Sequence, residues 1–181
     1  MDNKVQSYFD HLGAKDKKLQ YEAHTNILAL TNEEVGWAYE VWDELKEWLT
    51  DSDPHKRSRA AQFLANLAIS DGEKRILKDF PTLWKVTRDE KFVTARHALQ
   101  AVWRVGLAGS EQKKLVITHF IDRFHTCENE KNYTLIRFDI IQGLKNLYEE
   151  VEDEEIKREA IKLIEREEDN KYRKKYMNVW K

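Results

Sequence analysis

Residues 51–68 read Asp51-DSDPHKRSRAAQFLANLA-Ala68, and this stretch decides the fold. Asp53 offers a side-chain oxygen to the free amides of a helix start, and Pro54 has no amide to leave unpaired in a first turn. After the basic run, Ala60, Ala61, Phe63, Leu64, Leu67 and Ala68 recur at helical spacing and make one wide apolar stripe. The small residues in it allow a neighbouring helix to approach closely, so the stretch reads as one packed unit of a larger stack.

Helical patterns continue on both sides. Val5, Tyr8, Phe9 and Leu12 share a face of a short helix stopped by Gly13, and Leu19, Ala23, Ile27 and Leu30 mark a second helix from Asp16. Thr31 or Asn32 is placed to cap a third, which carries Val35, Ala38, Val41, Trp42, Leu45, Trp48 and Leu49. Beyond the Asp71-Gly72 turn, a pattern from Ile76 to Val86 contains Pro81, so a kink or a split is expected there. Asp89 starts a helix expected to run to Val105, Ser110 and Glu111 open the next, and Leu135 to Leu147 carry another. The acidic residues 149–169 keep a helical period through Ile156, Ala160, Leu163 and Ile164, and Tyr172, Tyr176, Val179 and Trp180 close the chain.

The patterns repeat. Asp16, Asp53 and Glu90 open helices at equal intervals, Glu22, Arg59 and Arg96 fall at one register, and Arg137 follows after a slip of four residues. Paired helices at a period near 40 are the signature of a stacked solenoid, in which each hairpin buries its second face on its neighbour. A plain helical bundle would not require an acid-opening, basic-first-turn pattern to recur. The expectation is an all-α, right-handed α-α superhelix of about five hairpins, forming a single domain over residues 1–181.

With Asp51 and Asp53 in its turn, Arg57 in its first helical turn, the Ala60-Ala61 pair and Leu64, the stretch resembles the second helix of a HEAT repeat. Glu90, Val93 and Ala98 look like a weaker copy, and Arg137 and Leu144 retain fragments. The resemblance implies the superhelix above, with second helices lining a concave face. It implies an architecture more than an activity. Some HEAT-like proteins are DNA glycosylases that remove alkylated bases, and this chain resembles them in expected fold. Their concave faces use Trp, Asp and Arg, for which Trp103, Arg96, Arg137 and Asp139 are counterparts by residue type; no catalytic residue is carried over.

Composition narrows the classes further. The chain has 181 residues, 35% charged and 41% hydrophobic, with a formal net charge of −2, six Gly and two Pro. Scarce punctuation favours long helices over a loop-rich sheet protein. Cys127 is the only cysteine, so no internal disulfide framework exists. No apolar run approaches the roughly 20 residues of a membrane helix, and Met1 leads directly into polar DNKVQS. A reduced, cytoplasmic, soluble protein without a cofactor is expected. Charge is unevenly spread: residues 1–53 sum to −7, residues 54–104 to +6 and residues 149–169 to −7. A basic centre attracts phosphates or an acidic protein segment, while acidic flanks oppose a long duplex.

Candidate binding residues are therefore those on second helices: Arg59, Gln62, Asn66, Arg96, Gln100, Trp103, Arg104 and Arg137. Each arginine has two readings, a contact for a partner or a tie to an acid in the neighbouring repeat. Trp42, Trp48 and Trp84 are expected to fill gaps between hairpins. His119, Asp122, His125 and Cys127 come nearest to a metal set, but their spacing spreads them around a helix, and no metal is expected. No glycine-rich phosphate loop, nucleophile elbow or dinucleotide fingerprint occurs. The leading expectation is a non-catalytic binding or scaffold protein for a protein or peptide partner. DNA binding or glycosylase-like repair through the basic centre is the alternative, and an accessory role to a cofactor-bearing partner is a third class.

Overall fold

Aspartates set half of the helix starts. Asp2, Asp16, Asp53, Asp153 and Asp169 each stand in extended backbone and accept a hydrogen bond from an amide of the turn they open, satisfying donors that a helix leaves unpaired. The computed structural model describes residues 1–181 as an all-α fold with two 3₁₀ segments and no strand. Its helices are α1 (Asn3–His11), α2 (Lys17–Leu30), α3 (Ala38–Trp48), α4 (Pro54–Leu67) and α5 (Arg75–Val86). They are followed by α6 (Phe92–Ala101), α7 (Ser110–Thr126), α8 (Tyr133–Val151), α9 (Glu154–Glu165) and α10 (Asn170–Val179).

Consecutive helices pack in pairs, α1 on α2 and so on to α9 on α10, and the second members α2, α4, α6, α8 and α10 touch one another in a row. One apolar cluster runs through all five pairs, from Leu12 to Trp180. In α4 the reason is visible in the sequence: Ala60, Ala61, Phe63, Leu64, Ala65 and Leu67 are all buried. A side chain without Cβ branches or bulk at Ala60, Ala61 and Ala65 lets α3 and α6 close on α4 from two sides.

Four local expectations are corrected. Thr31 closes α2 instead of opening α3: its hydroxyl donates back to the carbonyl of Ile27 at 2.8 Å, and α3 starts only at Ala38. Asp89 and Glu90 do not cap α6, which begins at Phe92; Asp89 instead accepts from the Lys91 amide and from Arg57. The α-helical geometry of α6 ends at Ala101, and Val102–Ala108 continue as a 3₁₀ helix. Pro81 neither splits nor ends α5, because it stands at an exposed position where water can reach the carbonyl it leaves unpaired.

The 3₁₀ segment lies against α7 and α8. Two glycines permit that approach. A Cβ on Gly106 would lie 3.0 Å from both methyls of Leu147, and one on Gly143 would lie 2.9 Å from the Phe120 ring.

Polar ties join each helix pair to the next. Arg57 clamps Asp89 through Nε and Nη2 at 2.6 and 3.0 Å, and donates to the carbonyl of Asp51 at 2.8 Å. Asp79 accepts from the indole of buried Trp42 at 2.9 Å and pairs with Lys46 at 3.4 Å. Lys74 reaches Glu111 and Lys113 reaches Asp153, each at 2.6 Å. Arg57 holds the Asp89 carboxyl below its ordinary range, so this tie persists into mild acid.

Candidate functional site

The row of second helices carries Arg59 and Arg96 at one register and Arg137 four residues out of step with it, and their surroundings differ. Arg59 on α4 donates to the Leu12 carbonyl and to Gln20 Oε1, both at 3.0 Å. Both acceptors are neutral, and no carboxylate lies within ion-pair distance. Burial accordingly works against its charge, with Asp53 as the nearby acid favouring it. Arg96 on α6 grips Asp139 of α8 with Nε and Nη2, both at 2.9 Å, and Gln100 adds a bond to the same carboxylate at 3.2 Å. The Asp139 side chain is 2% exposed. Arg137 on α8 is itself buried, donating to Glu167 at 2.8 Å and to the Phe124 carbonyl at 3.1 Å, with its guanidinium over the Phe124 ring.

Beside Arg59 the packing leaves a hollow of about 390 Å³ between α2, α4 and α6. From α2 it receives Lys17, Gln20, Tyr21 and His24, which recur every three or four residues and so share one helix face. From α4 come His55, Ser58, Arg59 and Gln62, again at helical spacing, and from α6 comes His97. No Asp or Glu lines it. Ser58 Oγ lies 3.0 Å from His97 Nδ1, and Gln62 bonds the Ser58 carbonyl and hydroxyl at 3.2 and 3.1 Å. These contacts fix the floor while Lys17, Tyr21, His55 and His97 stay exposed.

The imidazoles sense this concentration of positive charge. Burial lowers the pKa of His24, and the charges of Arg59 and His97 lower it further. His97 is exposed at one edge but enclosed on its Nδ1 side by Ser58, and this partial desolvation lowers its pKa likewise, helped by Arg96 and His55. Both rings are therefore held neutral at neutral pH, at the edge of a site where added negative charge would reverse the effect. The adjoining hollow on the other side of Arg59 does contain carboxylates, Asp10 and Asp53. Lys17, Gln20, His55 and Arg59 line both hollows.

The other sequence-predicted residues divide between surface and interior. Gln62 lines the hollow, and Gln100 is exposed on α6, donating with Arg96 to Asp139. Asn66 is buried and donates to Thr31 Oγ1 at 3.0 Å, tying α4 to the end of α2; as a surface contact it is corrected. Arg137 is corrected for the same reason, its charge being spent on Glu167. Trp103 and Arg104 lie on the 3₁₀ segment rather than on the α-helix expected to run to Val105. Arg104 stands over the Trp103 ring, and its buried Nε has no partner. Trp42 is fully buried, while Trp48 and Trp84 are partly buried against the core.

Lys17, Tyr21, His24 and His55 were missing from the sequence-derived set. Their spacing on α2 and at the start of α4 was readable, but which faces of two different helices meet is a tertiary fact. His119, Asp122, His125 and Cys127 are not brought together: His119 packs edge-on to Phe80 and Trp84, Cys127 is buried, and His125 is exposed. No group of three or more metal-ligating side chains occurs anywhere in the chain. No protein-family model matches the chain, and no curated protein matches it.

Proposed function

We propose that this chain is a HEAT-like helical-repeat binding protein whose second-helix face receives an acidic segment of a protein partner. The observation that carries the reading is the hollow beside Arg59, lined by two cations and three imidazoles with no carboxylate. The arginines of the next two second helices, Arg96 and Arg137, are neutralised within the fold by Asp139 and Glu167, so among the three it is Arg59 at which a partner's negative charge gains most. The repeated pairing of helices, with second members in a continuous row, supports the right-handed superhelix and its concave surface. A buried, unpaired Cys127 fits a reducing, cytoplasmic setting.

The glycosylase-like alternative draws on a carboxylate near Trp103. Asp139 is the carboxylate on the adjacent turn of α8, and Arg96 and Gln100 occupy both its oxygens within the packing. A buried acid so neutralised is not free to act as a base. The binding reading needs no such group.

The test is affinity capture with nuclease-treated lysate. Wild type is compared with a variant carrying Lys17→Glu, Tyr21→Ala and His55→Glu, all at exposed positions, and with Lys78→Glu on exposed α5 as control. A protein partner held by wild type and control, and lost from the triple variant, is the expected result. Retention of every partner by the triple variant would remove this face as the binding surface.

A further inference from the structure

The hollow has more definite chemistry than a general affinity for acids. Arg59 is anchored by Leu12 and Gln20, which leaves most of its five N–H donors free. Anchoring a guanidinium with neutral acceptors fixes its direction without cancelling its charge. Lys17 adds a second fixed positive charge at the rim, exposed and without an ion pair. Three imidazoles complete the lining, and Ser58, Gln62 and Tyr21 contribute further polar groups. Two permanent charges, and many donors converging from three helices, match a small doubly charged anion with several acceptor oxygens. A single carboxylate would leave one charge and several donors unused.

The surroundings also limit the size of the anion. Along the row in one direction the next register cation, Arg96, is closed by Asp139. In the other direction the adjoining hollow presents Asp10 and Asp53. A lining of cations without carboxylates is thus not continued into the neighbouring sites on either side, whereas a nucleic-acid strand engages cations in a series. We propose that the hollow between α2, α4 and α6 binds a phosphate monoester dianion carried on a side chain of the partner segment. Arg59 and Lys17 supply the fixed charge, and the imidazoles of His24 and His97 take up protons as the anion enters.

Proton uptake follows from the groups that face those rings. From α2 and α4 they face Lys17 and Arg59, and from α6 Arg96, while Asp53 and Asp139 stand outside the lining. Burial first, then Arg59 at His24 and Arg96 at His97, disfavours the imidazolium of these two rings. A bound dianion favours it, so binding strengthens as pH falls from 8.0 to 6.5, where a phosphate monoester is still mostly doubly charged.

The site rests on the binding-face reading, and its test is separable from that one. The full chain is titrated with a phosphoserine tripeptide, the glutamate tripeptide, inorganic phosphate and a short single-stranded oligonucleotide, following imidazole resonances by NMR. The phosphoserine peptide should shift His24 and His97 saturably, about threefold or more tighter at pH 6.5 than at pH 8.0. Arg59→Gln should weaken it about tenfold, and Lys17→Gln, at an exposed position without an ion pair, should weaken it several-fold. Equal binding of the glutamate peptide, tighter binding of the oligonucleotide, or inorganic phosphate binding as tightly as the peptide would each overturn the assignment. So would unshifted imidazoles, or wild-type affinity in Lys17→Gln. Partner capture that persists without phosphopeptide binding removes the phosphate site and leaves the binding face. Phosphopeptide binding without any partner captured removes the face as a protein-docking surface.

Discussion

Arg59 and Arg137 stand at comparable positions on two second helices, yet one end of the row exposes its charge and the other consumes it. At α8 the guanidinium is 8% exposed and faces Glu167, itself 2% exposed, with the Phe124 and Tyr133 rings around it. At α4 the guanidinium is held by a carbonyl and an amide oxygen beside open space. Arg96 is intermediate, its carboxylate buried but its own side chain 31% exposed. The same residue type on corresponding helices thus serves as a lock at α8 and as an available charge at α4. The partner decides which, since a buried ion pair is held by its geometry and an unneutralised cation seeks an anion.

This contrast can be broken most forcefully at α8. Arg137→Ala strands the buried Glu167 carboxylate and should destabilise the fold by about 3–5 kcal/mol, read by urea denaturation. An unchanged midpoint would show that the lock is not one. Arg96→Ala leaves Asp139 with Gln100 alone, and water reaches it more easily through the half-open seam. A loss of about 2–3 kcal/mol is expected on the same scale.

At the open end the effect is a pH dependence. The folded-state pKa values of His24 and His97 lie below the unfolded value of 6.5. The unfolded chain then binds more protons than the folded one below that pH. The stability these neutral rings contribute is complete above pH 6.5 and is lost as pH falls through the lowered folded values. Melting temperature should decline from pH 7 to pH 5.5, and a His24→Gln, His97→Gln double variant should decline less over that range. A parallel decline in both would place the titrating groups elsewhere.

The smallest effect is expected at Arg59 itself. Arg59→Met loses two hydrogen bonds to neutral acceptors but also removes a half-buried charge without a counter-ion. The net change should stay near 1 kcal/mol or below. A loss as large as that of Arg137→Ala would erase the distinction between the two ends.

Much of the α4 environment was legible before any tertiary information. Asp53, Pro54 and the alanine-rich stripe of residues 60–68 specify where a helix starts and which face it buries. Asp16 was equally readable as a cap. Glu90 was not a cap, because Arg57 of the preceding pair claims Asp89 and reshapes that turn, an event 32 residues distant in sequence. Trp103 and Arg104 are not on the expected α-helix, because residues 102–108 tighten into a 3₁₀ helix against α7 and α8.

By itself the sequence determined that this chain is helical, where most helices begin, which stripes are apolar, and that arginines recur at one register on second helices. Those properties are local, set by caps and by a periodicity of a few residues. Only the tertiary structure decided which arginine found a carboxylate, because Glu167, Asp139 and Gln20 lie 30, 43 and 39 residues from their partners. It also gathered Lys17, His24, Arg59 and His97 around one carboxylate-free hollow. The charge of a side chain is written in the sequence; whether that charge is left over is settled by what folds against it.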